Sequence, residues 1–108
     1  MVRSLVRFDP SDGSIIESSS AVDSVTKNGT GDYTINYVDT FSDIPFFPVV
    51  SVADTSGNIL SPVISEVRGG SSGSWTTSIA VTGAEVVLGV LTFTGPTDPT
   101  DEVILICE

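Results

Sequence analysis

One stretch, Lys27-Asn28-Gly29-Thr30-Gly31-Asp32-Tyr33-Thr34-Ile35-Asn36-Tyr37, limits the fold more than any other. Asn28-Gly29 is a strong short hairpin signal, because both central positions of a type I′ turn need positive φ. Gly31 then lets the backbone leave the turn. From Tyr33 the residues alternate, with Tyr33, Ile35 and Tyr37 on one face and Thr34 and Asn36 on the other. A period of two is the mark of a half-buried strand.

The composition points the same way. Val and Ile together far outnumber Leu, Ala and Met. Branched side chains fit a pleated sheet and lose rotamer freedom in a helix. The Ser18-Ser19-Ser20 run and the β-branched residues around it argue against a helix between Ile15 and Lys27. Strands are expected over residues 2–8, 14–18, 22–27, 33–37, 49–53, 59–67, 75–81, 84–93 and 103–107. Turn signals stand between them, including Asp9-Pro10-Ser11-Asp12-Gly13 and Thr82-Gly83. Pro62 inside its strand calls for a sheet edge or a bulge. Gly69-Gly70-Ser71-Ser72-Gly73-Ser74 reads as a flexible loop. The whole is an all-β chain, an antiparallel sandwich or barrel of about six to eight short strands in a single domain over residues 1–108.

Charge and residue usage remove whole classes of function. The 108 residues carry 14 acidic and 4 basic side chains, a net charge of −10. A surface of that sign repels phosphate backbones, so no nucleic-acid partner is expected. No apolar run approaches the ~20 residues of a membrane helix, so no membrane insertion is expected. The N-terminal residues do not read as a signal peptide. That fits a cytosolic protein, or a virion component assembled in the cytosol. Without histidine, the usual general base and the commonest metal ligand are missing. The lone Cys107 allows neither an intrachain disulfide nor a cysteine-based zinc site. The serines have no His or Lys arrangement to activate them. No enzymatic activity, cofactor or metal is therefore expected. Asp98, Asp101 and Glu102 offer oxygen atoms but lack the ordered ligand series of a calcium loop, and read as solvated loop carboxylates.

Two groups of residues stand out as contacts. Val103, Ile104, Leu105 and Ile106 form an unbroken apolar run, and a strand apolar on both faces must be covered on both. They read as part of a subunit interface, or else as a central strand. Phe46 and Phe47 lie in the proline-broken stretch that follows Tyr37, and Trp75 opens a strand. The phenylalanine rings either plug the end of the sandwich or form an exposed aromatic platform for a partner or sugar, and Trp75 either packs in the core or stacks on a sugar ring.

Arg3-Ser4-Leu5-Val6-Arg7-Phe8-Asp9, Gly13-Ser14-Ile15 and the stretch from Ser24 to Tyr37 resemble the small β domain of bacteriophage tail-fibre and other virion proteins. More loosely, Ile35-Asn36-Tyr37, Phe41, Pro48-Val49-Val50, Gly73-Ser74-Trp75-Thr76 and the apolar strand from Val86 to Phe93 resemble the H-type lectin fold. That resemblance implies a trimeric antiparallel sandwich exposed on a virion. The implied partners are two further copies of the chain, other virion proteins of the tail or the capsid, and a host-surface glycan. A tail-fibre or receptor-binding module is the leading expectation. A capsid decoration protein comes next, and a free carbohydrate-binding lectin third.

Overall fold

A computed structural model describes residues 4–38, 48–55, 59–68 and 76–107, apart from the side chains of Val67, Arg68 and Cys107. These residues form nine strands: β1 Ser4–Phe8, β2 Ile15–Ser18, β3 Val22–Gly29, β4 Asp32–Tyr37, β5 Pro48–Ala53, β6 Ile59–Arg68, β7 Thr76–Val87, β8 Val90–Pro96 and β9 Glu102–Cys107. All pairings are antiparallel. The all-β expectation holds. One sheet runs β2-β1-β9-β5, and the other runs β3-β4-β7-β6 with β8 added on β7.

The core lies between the sheets and follows the period-two pattern of each strand. From the first sheet come Val6 and Phe8 of β1, and Val103 and Leu105 of β9. From the second come Tyr33, Ile35 and Tyr37 of β4, and Ile79 and Val81 of β7. Phe8 and Tyr33 meet across the gap as a tilted ring pair with centroids 5.1 Å apart. Thr77 of β7, opposite Ile35, is also buried, and its hydroxyl is 3.0 Å from that of Tyr37. A buried hydroxyl left alone is costly, so each of the two supplies the other's partner.

The β3–β4 hairpin forms, but its turn is displaced from Asn28-Gly29. Gly29 pairs with Asp32, which leaves Thr30 and Gly31 as the loop, and Gly31 alone of the four residues from Asn28 to Gly31 has positive φ. Close packing explains the shift. A Cβ at Gly31 would sit 2.4 Å from the Val81 carbonyl oxygen and 2.8 Å from the Thr97 nitrogen. Only glycine fits there, so the register is set by Gly31. Asn28 becomes an extra residue in a bulge, and its amide donates to Thr34 Oγ1 at 2.8 Å.

A second difference matters more for function. Thr82-Gly83 makes no turn. β7 runs through it to Val87, and the chain reverses at Leu88-Gly89, both at positive φ. The stretch 84–93 is thus a hairpin, not a single strand. Gly83 serves close approach instead, since a Cβ there would meet Thr97 Oγ1 at 2.4 Å. Pro62 stands as expected on an edge, because among the described residues β6 pairs with β7 alone, and β6 carries an irregularity between Ile64 and Glu66.

Candidate interaction surface

β9 lies between β1 and β5, with Val6↔Leu105↔Val50 and Phe8↔Val103↔Val52 as cross-strand rows. Val103 and Leu105 are fully buried within the chain. The central-strand alternative therefore describes those two residues, and they have no surface left for a neighbouring subunit. Ile104 and Ile106 point the other way and are half-buried. Beside Ile104 runs an ion network in which Arg7 reaches Glu102 at 2.8 Å and Glu17 at 3.4 Å. Phe46, Phe47 and Trp75 lie outside the described residues, as does the loop over 69–74.

Among the described residues the most exposed apolar surface is elsewhere. Beyond Ala84, β7 pairs among the described residues with β8 alone, through Glu85↔Thr92, Val86↔Leu91 and Val87↔Val90. This two-stranded arm carries Val86, Leu91 and Phe93 on one face and Val87 and Val90 beside Glu85 and Thr92 on the other, and Glu85 is its one charge between Ala84 and Gly95. Directly opposed residues share a sheet face. Val86 and Leu91 therefore stand on the same face as the row Ile59–Ala84–Phe93, and Val63 lies farther along it, opposite Ala80. Phe93 is 65% exposed on that face, and Leu88 at the tip is 99% exposed.

The same sheet face changes character toward β3. There Ser24, Thr26, Asn28, Thr34 and Asn36 form a hydrogen-bonded ladder, with the Asn36 amide donating to Ser24 Oγ and Thr26 Oγ1 at 3.1 Å each. One half of the face is thus dressed for water and the other half for burial.

The root of the arm is held by an ionic clasp that the sequence did not reveal. The Thr97 nitrogen donates to the Val81 carbonyl as the chain leaves β8. Asp98 then accepts from Lys27 Nζ at 2.6 Å, from the Gly31 nitrogen at 2.8 Å and from the Tyr33 hydroxyl at 2.8 Å. The Tyr33 hydroxyl is also 2.8 Å from the Pro10 carbonyl, so its single proton serves two acceptors. Burial, then the neighbouring Asp98 carboxylate, pushes the Tyr33 hydroxyl far above its ordinary range. Burial also works against the charge on Asp98. The bonds from Lys27, Gly31 and Tyr33 outweigh it and hold the carboxyl below its usual range.

Asp98 is therefore a structural anchor and not merely a solvated loop residue. Glu102 is engaged by Arg7, and Asp101 accepts from Thr55 Oγ1 at 3.2 Å. Among the described residues no group of three or more carboxylate or cysteine ligands is placed to hold a metal ion. No helix is long and apolar enough to cross a membrane. The chain matches no family model, no curated protein and no solved structure.

Proposed function

We propose that this chain is a non-enzymatic structural protein of a bacteriophage particle, a homotrimeric β-sandwich of tail-fibre or receptor-binding type carried at the virion surface. The observation that carries the reading is the apolar β7–β8 arm on an otherwise acidic sandwich. Exposed apolar patches of this kind belong to surfaces that associate. The resemblance of residues 3–9, 13–15 and 24–37 to virion β domains supplies the setting. In a trimer, weak contacts to a host glycan add through effective concentration.

The same arm favours a second reading. A ribbon that projects from a small body is suited to seating between neighbouring capsid subunits, as a decoration protein does. Quantitative mass spectrometry of purified virions against the major capsid protein tests both. A few tens of copies per particle are expected for a tail module. A ratio near one per capsid subunit would assign decoration, and absence from the particle would overturn both.

A further inference from the structure

We infer that the occupant of the β7–β8 arm is another copy of this chain, outer face of arm against outer face of arm, with Leu88 enclosed at the contact. The inference deepens the assembly reading above and rests on it for the trimer.

Ile59, Val86, Leu88, Leu91 and Phe93 leave an apolar patch of several hundred Å² exposed, on the order of the ~300–600 Å² of the largest patch on an ordinary monomer and a large part of the ~800 Å² each partner gives a stable interface. A two-stranded ribbon is at best marginally stable in water. Among the described residues this one extends past the last pairing with β6, at Ala84, so a covering surface would stabilise it.

Copies of a chain with net charge −10 repel one another. They associate most readily where their charges are kept apart, and this arm presents a single carboxylate, Glu85. A partner of opposite sign would instead select an acidic face, which this arm is not. An uncharged, flat, apolar face is complementary to itself.

Leu88 occupies the first central position of a two-residue reversal, at φ +50. Gly suits this position because it has no Cβ to crowd the backbone, and Asn and Asp because their short polar side chains bond the backbone locally. A leucine there serves neither the turn nor solubility, since it is almost wholly exposed in the single chain. Its apolar body gains something only when it is enclosed.

The test is sedimentation velocity with native mass spectrometry on the full chain, for the unaltered protein, Leu88→Asn, the pair Val86→Thr with Leu91→Thr, and Ile104→Thr on β9. Leu88→Asn suits the turn, and threonine keeps strand preference, so the circular dichroism of these variants should match the parent, and their melting should match it at concentrations where both are monomeric. The parent is expected to run at a multiple of the chain mass, three under the reading above. Each arm variant is expected to weaken self-association at least tenfold, and Ile104→Thr is expected to leave it unchanged. A parent that stays monomeric across a concentration series would overturn the inference. So would association that survives the arm variants and is lost with Ile104→Thr. A monomer that is nonetheless found in virions removes this inference and leaves the virion reading standing. Arm-dependent association without virion incorporation does the reverse.

Discussion

At the residue scale, the clasp around Asp98 turns two distant pieces of chain into one unit. The carboxylate joins the β3–β4 turn, through Gly31 and Lys27, to the segment that carries the chain from β8 toward β9. Charge-assisted hydrogen bonds are worth about 1.5–3 kcal/mol each when part-buried, and removing one partner also strands the others. Asp98→Asn is therefore expected to lower stability by about 1–3 kcal/mol at neutral pH, read by chemical denaturation. The pH dependence follows from the direction of the shift. The folded carboxyl binds its proton less readily than the unfolded one. Its contribution is complete above the ordinary value of about 3.9 and fades as pH falls below it toward the lower folded pKa. Parent and Asp98→Asn should therefore converge in stability on acidification below about pH 4. A difference that persists unchanged at low pH would show that the carboxylate's charge is not what holds the clasp.

At the element scale, β9 and the β7–β8 arm exchange the roles that hydrophobicity alone assigns them. Both are long apolar runs. β9 is flanked on both edges, by β1 and β5, and its alternate residues Val103 and Leu105 fill the core. Leu105→Ala is expected to cost about 2–5 kcal/mol, because the cavity it leaves is walled by Val6 and its neighbours and cannot collapse. A loss under 1 kcal/mol by denaturant titration would contradict that packing. The stretch 84–93 has comparable apolarity but folds back on itself, so its side chains meet water. Hydrophobicity says that a segment will be buried somewhere. Only pairing partners say whether its own chain does the burying.

At the scale of the whole molecule, shape and charge act together. The molecule measures 50 × 27 × 23 Å, and so is nearly twice as long as it is wide. It carries a net charge of −10 with a largely uncharged arm. Copies that meet through such arms bring their acidic bodies close, and the repulsion is screened beyond about 8–10 Å at physiological salt and farther in at higher salt. Self-association is therefore expected to strengthen as ionic strength rises from 20 mM to 0.5 M, read by the concentration dependence of the sedimentation coefficient. Association that weakens with salt would point to ion pairs at the contact and away from the arm.

The all-β class and most of the strands are legible in the order of residues along the chain. Alternation at Tyr33, Ile35 and Tyr37 defines which face of β4 is buried, because side chains on a strand point to opposite sides in turn. Pro62 marks an edge, because proline cannot donate to a ladder. Those signals are local, and local rules read them. The tertiary structure decided what depends on residues far apart in the chain. Gly31 and Gly83 resemble turn glycines in sequence. They are needed because Thr97 and Val81 press against the first, and Thr97 and Thr94 against the second. Asp98 resembles any loop carboxylate until Lys27, Gly31 and Tyr33 converge on it. The apolar run 84–93 resembles a core strand until β7 is seen to pass through Thr82-Gly83 and turn at Leu88. A glycine excluded by its neighbours, a carboxylate fixed by three donors and a ribbon without cover are all properties of neighbours in space, and spacing along the chain does not encode them.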